Sequence, residues 1–137
     1  MWKKNLRIEV GLFNQEWKVF LNTKRKLDYA IARAGWWGDY PDPNTFLDMY
    51  VGDNGNNHTG WKHSEYDGLI QKAWQAATRE ERYVYFQRCE EILADEVPII
   101  PIYTYTRVNL RRPEVKGWVS NIKDVRQYKS FRLEEPK

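Results

Sequence analysis

Residues 6–13 alternate Ile8, Val10 and Leu12 with Arg7, Glu9 and Gly11. That is the period-two pattern of a half-buried strand. Asn14 can then cap a helix that carries Trp17, Phe20 and Leu21 on one face and ends in Lys24-Arg25-Lys26, near the negative pole of its dipole. Tyr29-Ala30-Ile31-Ala32 is an apolar run of strand length. Strand, helix and strand in this order predict a βαβ unit with parallel strands and a right-handed crossover.

Asp42-Pro43 has the form of an N-cap followed by proline at the first helical position, and a short helix through Phe46, Leu47 and Tyr50 is expected. Residues 52–60 are polar and turn-rich, an exposed loop. Ser64 is the expected cap of a helix in which Tyr66, Leu69, Ile70, Ala73, Trp74 and Ala77 recur at helical spacing. Thr78 and Glu81 form a capping box for the next helix, whose inner face holds Tyr85, Phe86, Cys89, Ile92 and Leu93. So short a link predicts an antiparallel helical hairpin. Residues 97–108, rich in Ile, Tyr and Thr, predict a strand that Pro98 and Pro101 push toward an edge or a bulge. Residues 128–133 offer one more. The fold class is α/β, a mixed sheet with flanking helices, and no internal repeat is visible.

Composition sharpens this only in places. The 137 residues suffice for one domain with a core. Seven Trp, nine Tyr and five Phe exceed the needs of such a core, so some rings are expected on a recognition surface, where rigid side chains give contact area at low entropic cost. Most are still accounted for by packing. The 22 basic and 19 acidic residues are intermixed, which gives no electrostatic footprint for nucleic acid. Cys89 is the only cysteine, so neither an intrachain disulfide nor a cysteine metal cluster can form. At an apolar position in mid-helix it is expected to be an inert buried thiol. Met1-Trp2-Lys3-Lys4 leads into an amphipathic stretch rather than the apolar core of a signal peptide, and no run has the length of a membrane helix.

The candidate chemistry lies in residues 33–43, Arg-Ala-Gly-Trp-Trp-Gly-Asp-Tyr-Pro-Asp-Pro. This stretch follows the second expected strand, at the sheet edge where open α/β folds bind ligands. Gly35 lets a ligand approach the backbone, Trp36 offers an apolar wall, Asp39 can accept from an ammonium group, and Arg33 can bind a carboxylate. These groups suit a zwitterion. They also suit a structural loop of stacked aromatics.

Other motifs carry less. Residues 53–57 resemble the start of a calcium loop, but the sixth position is His58 rather than glycine and the twelfth is Ser64 rather than glutamate. His58 and His63 flank Trp61 without the spacing of a helical metal pair, and Asn57-His58-Thr59 is a formal glycosylation sequon. Glu90-Glu91 and Glu134-Glu135 are adjacent carboxylates, a poor acid–base pair because they do not face each other. No nucleophile–base pair and no phosphate-cradling glycine loop is present. No catalytic residue, metal or cofactor is therefore expected.

The stretch Arg33-Ala34-Gly35-Trp36, two further residues, Asp39-Tyr40, a proline turn and Phe46-Leu47 resembles a segment of the oligopeptide- and dipeptide-binding proteins of bacterial ABC importers, the family 5 extracellular solute-binding proteins. The likeness includes residues 14–18, Phe20-Leu21, Asn56-Asn57, Tyr66-Asp67, Leu69-Ile70 and residues 97–103. It implies a periplasmic-binding-protein-like type II lobe, in part, with residues 1–137 forming the C-terminal part of the second ligand-binding lobe. It implies that Asp39 pairs with the α-ammonium group of a short peptide, while backbone groups of residues 33–37 (Arg33, Ala34, Gly35, Trp36, Trp37) bond the peptide like an added strand. Arg33 and Lys24 would meet the carboxylate of ligands of suitable length, and Trp37 and Gly38 stand at variable positions. Partners implied are the remaining lobe of the same protein and the importer's permease at the membrane; the location implied is periplasmic or extracellular.

Members of that family are several times longer, so the expectation is an expressed fragment or a truncated gene product lacking the opposing wall. Its exposed strand edges should make the isolated chain self-associate, as a symmetric dimer. The alternative reading is a carbohydrate-binding module or glycosidase fragment, which requires a flat aromatic platform or carboxylates facing one another across a cleft.

Overall fold

The computed structural model describes residues 1–134, so Glu135 of the Glu134-Glu135 pair lies outside the described residues. The chain forms two compact units, Met1–Ala34 and a second from Gly35 onward.

The first unit holds α1 (Trp2–Leu6) and α2 (Trp17–Arg25), and none of its residues is buried. The expected strands at residues 6–13 and 29–32 do not form, so neither does the βαβ unit. Alternation specifies which face of a strand would be covered, but a strand exists only when a neighbour completes its hydrogen-bond ladder. Ile8, Val10, Leu12 and Phe13 accordingly stand exposed. Helix α2 is where its pattern places it, but its cap is Glu16, not Asn14. The Glu16 carboxylate accepts from the N–H groups of Lys18 (2.8 Å) and Val19 (3.2 Å), two donors that the first helical turn leaves unpaired.

The second unit is built on α4 (Ser64–Gln75) and α5 (Arg79–Glu96), which pack on one another, with α3 (Asn44–Leu47) and a following 3₁₀ turn (Asp48–Tyr50) alongside. Tyr66, Ile70 and Ala73 of α4 interlock with Phe86, Cys89, Ile92 and Leu93 of α5, and Leu47 of α3 completes this core. Each such apolar side chain contributes roughly 1.5–3 kcal/mol when fully buried, which is why the two strongest helical periodicities dominate the fold. Trp74, expected on the inner face of α4, is largely exposed.

The caps differ in detail from expectation. His63, not Ser64, caps α4, its Nδ1 accepting from the Tyr66 N–H at 3.1 Å. Thr78 caps α5 by accepting from the Glu81 N–H (3.2 Å), while the Glu81 carboxylate reaches the Ala77 N–H (3.2 Å), one residue outside a strict box. Val97, ahead of Pro98, ends α5 in the left-handed region at φ 49°.

Residues 97–108 are irregular rather than a strand, again without a ladder partner among the described residues. The sheet among those residues is an antiparallel pair, β1 (Val115–Lys116) and β2 (Arg132–Leu133), in register Val115 with Leu133 and Lys116 with Arg132. Residues 128–130 expected in the last strand form a 3₁₀ turn instead. Gly117 follows β1 at φ 80°, and a Cβ there would lie 1.9 Å from the Ser130 carbonyl oxygen, so only glycine permits this return of the chain.

One buried hydrogen bond ties α3 to the helix pair. The Tyr66 hydroxyl, wholly buried, donates to the Leu47 carbonyl at 2.7 Å, and burial raises the phenol's pKa. Tyr66→Phe leaves that carbonyl unsatisfied and is expected to cost about 1–3 kcal/mol in urea unfolding followed by helical circular dichroism. Tyr85→Phe, which removes only an exposed bond to Glu81, is expected to stay within about 0.5 kcal/mol of the parent.

Candidate functional site

The expected ligand-binding residues divide between the two units. Lys24 lies in the last turn of α2 with its ammonium 5.6 Å from the centre of the Phe20 ring, and Arg33 and Ala34 are exposed at the end of the first unit. Gly35, Trp36, Trp37 and Asp39 begin the second unit. Because residues 29–32 are irregular, this stretch does not start from a strand end, and the sheet-edge argument for it falls.

Within the second unit the stretch is anchored from Gly38 onward. A Cβ on Gly38 would lie 3.1 Å from both the Phe46 ring and the Thr45 methyl group, so the chain passes tightly over the start of α3. The Asp39 N–H donates to the Thr45 hydroxyl at 3.0 Å, and Thr45 is 2% exposed. The Asp39 carboxylate is left at the surface.

Asn44 is likewise buried and fully bonded. Its Nδ2 donates to the Tyr40 hydroxyl and to Asp48, each at 2.9 Å, and its Oδ1 accepts from the Trp74 indole at 3.2 Å. The helix begins at Asn44 with Pro43, rather than the expected Asp42, in the cap position, and the Asp42 carboxylate accepts from the Asn44 N–H at 2.9 Å. The same carboxylate takes two bonds from the Arg82 guanidinium on α5, at 2.6 and 3.0 Å.

On the other side of Gly38, aromatic groups gather. Trp37 stacks on Tyr105 (6.4 Å between centres, 18° between planes), and Tyr105 meets Tyr103 edge-on at 4.6 Å. The Arg107 guanidinium lies over the Trp37 ring at 5.3 Å and pairs with Asp124 at 2.7 Å. Trp37 has this cation over its ring yet stays 64% exposed, while Trp36 is 36% exposed. Tyr105, Arg107, Thr45 and Arg82 carried no sequence signal as site residues. Their roles come from contacts with residues far along the chain.

The weaker motifs resolve as structure. Asp53 pairs with Lys62 at 2.8 Å, which lowers its pKa, and Asn54 Oδ1 accepts from the Asn56 N–H at 2.9 Å. Asn57 braces its loop by donating to the carbonyls of Tyr50, Val51 and Trp61 at 3.2, 3.3 and 2.9 Å. Among the described residues, no group of three or more His, Cys, Asp or Glu is placed to hold a metal ion. Cys89 is wholly buried, and desolvation pushes its thiol pKa up to about 12, out of the reactive range. No helix among the described residues is long and apolar enough to cross a membrane.

Comparison with known proteins places this geometry. No family model matches the chain. It is 39% identical over 118 residues to the oligopeptide-binding protein OppA of Bacillus subtilis and 39% identical over 117 residues to the dipeptide-binding protein DppE of the same organism. Each match covers 85% of this chain and 22% of the relative. The periplasmic murein peptide-binding protein MppA of Escherichia coli is 36% identical over 126 residues. A solved structure of that protein superimposes with a TM-score of 0.87, covering 96% of this chain and 26% of its own. The chain therefore spans about a quarter of the length of the relatives it matches, and its fold is that of part of a periplasmic binding protein of type II.

The anchoring of Asp39 is directly measurable. Thr45→Val keeps the side-chain shape and removes the acceptor for the Asp39 N–H. That amide is expected to exchange with solvent about tenfold faster by NMR, with the core amides of Ile70 and Ala73 unchanged.

Proposed function

We propose that this chain, which in sequence and fold is a segment of the oligopeptide- and dipeptide-binding proteins, forms part of the second ligand-binding lobe of such a receptor and holds the amino end of a short peptide. The observation that carries this reading is the Asp39 carboxylate, exposed on a backbone that Thr45, Asn44 and Asp42 hold in place. A carboxylate fixed in advance loses little freedom when a ligand ammonium arrives, so more of the charge attraction appears as affinity. The irregular backbone of residues 33–37 would take main-chain bonds from an extended peptide. Arg33 and Lys24 supply positive charge for its carboxylate when ligand length permits. The work is capture rather than catalysis, followed by delivery to an importer's permease on the outer side of the cytoplasmic membrane. The commitment of Asp42 to Arg82 argues against the carbohydrate alternative in its paired-carboxylate form.

The remaining lobe of the same receptor is the natural cover for the apolar surface seen here. A unit that buries none of its residues, yet exposes Leu12, Phe13, Trp17 and Ile31, lacks the core to stand alone. In the absence of that lobe the isolated chain is expected to self-associate, as a symmetric dimer. Light scattering on dilute samples checks this, and a monomer at high micromolar concentration would refute it.

Asp39→Asn in the native full-length gene product is expected to weaken binding of a free tripeptide by about 2 kcal/mol or more, because a buried ammonium loses its counter-charge. The N-acetylated tripeptide, which brings no charge, should lose much less. Calorimetry with both ligands decides: equal losses would rule out Asp39 as the ammonium partner.

A further inference from the structure

We infer that Arg82 is a positioning residue for the ligand-facing carboxylate of Asp39, acting through Asp42; the inference rests on the reading of Asp39 as the ammonium partner. Arg82 and Asp42 are 40 residues apart in sequence, yet the guanidinium meets the carboxylate with two parallel bonds of 2.6 and 3.0 Å. Their side chains are 29% and 24% exposed, so the pair is partly withdrawn from water. The guanidinium also rests 5.0 Å from the centre of the Phe86 ring, and Phe86 belongs to the core at 3% exposure. Arg82 is thereby fixed by α5, the longest helix among the described residues.

From Asp42 the constraint reaches Asp39 by two routes. Asp42 Oδ1 accepts from the Asn44 N–H at 2.9 Å and so sets the first turn of α3. Thr45, next in that turn, accepts from the Asp39 N–H at 3.0 Å. Along the chain itself, the Asp42 N–H donates to the Tyr40 carbonyl at 2.9 Å, closing a tight turn over Pro41 that directly follows Asp39. A shift of Asp42 is therefore passed to Asp39 from both directions.

The helical core does not depend on this pair. Phe86, Cys89, Ile92 and Leu93 hold α5 against α4, and the Tyr66–Leu47 bond holds α3. Loss of the fork loosens the turn that carries Asp39 while the scaffold remains. The planar fork matters as much as the charge: lysine offers a point charge that cannot hold both carboxylate oxygens in one orientation.

The test uses the native full-length gene product with tri-alanine and N-acetyl-tri-alanine as probes in calorimetry. Arg82→Met is expected to weaken tri-alanine about tenfold and the acetylated peptide less than twofold, since misplacing one charged group by a fraction of an ångström costs only the ligand that uses it. Arg82→Lys should recover less than half of that loss. Arg82→Met combined with Asp42→Leu, which leaves no unpaired charge behind, should fold and repeat the selective loss. On an Asp39→Asn background, Arg82→Met should have no further effect on tri-alanine. Equal losses for both peptides, no loss, full recovery with lysine, or additive losses on the Asp39→Asn background would each overturn the positioning role. If Asp39→Asn itself penalises both peptides equally, the ammonium reading fails first and takes this role with it. If Asp39→Asn discriminates between them and Arg82→Met does not, the positioning role alone fails.

Discussion

Two polar side chains, Asn44 and Thr45, are buried at the start of a four-residue helix, and burial obliges each to find partners within the protein. An isolated turn this short does not persist in water, because nucleation costs more than its few bonds return. Here the turn persists because its polar groups are bonded outward: Asn44 to Tyr40, Asp48 and Trp74, and Thr45 to the Asp39 backbone. Asp42, Leu47 and Asp48 extend the same connections to Arg82, Tyr66 and Asn54. The loop that presents Asp39 is thus ordered by the obligation to satisfy buried polar atoms, with apolar packing supplying the platform beneath.

That platform was legible in the sequence, and the reason is its locality. The apolar positions of α4 and α5 recur at helical spacing, and helices form their backbone bonds internally, so pattern and structure agree over both except at Trp74, which is exposed, and Ala77, which lies past the end of α4. Cap identity was less legible. Glu16 and His63 displaced Asn14 and Ser64, because a long side chain one or two residues away can reach the same free N–H groups that a short one was expected to reach. The expected strands were a different matter. Residues 6–13, 29–32 and 97–108 have the composition of strands, but their ladders require partners that composition does not specify.

The candidate site was legible in part, for a related reason. Gly35, Trp36 and Asp39 announce themselves by residue type within one short stretch. Thr45, Arg82 and Arg107 do not, since a threonine in a helix start or an arginine on a charged helix face is ordinary until its distant partner is known. Residues that touch a ligand tend to be chemically conspicuous, whereas those that hold them are conspicuous only in three dimensions.

The exposed apolar residues connect these observations. Ile8, Val10, Ile100 and Ile102 sit in segments patterned for one covered face, and in this structure that face is open. Such a face is covered only where a second apolar surface meets it. The relatives, of which the chain matches about a quarter, are long enough to supply such a surface. Within the second unit, which also carries Ile100 and Ile102, the helix pair closes its own core around Tyr66 and Cys89. The helix pair is thus folded by its own contacts, whereas residues 6–13 and 97–108 lack the neighbours that their patterns call for. Gly35, the first residue of the second unit, also begins the stretch that carries Asp39. The Asp39 backbone N–H is bonded to Thr45 at the start of α3, so this stretch is held by the unit whose helices close their own core.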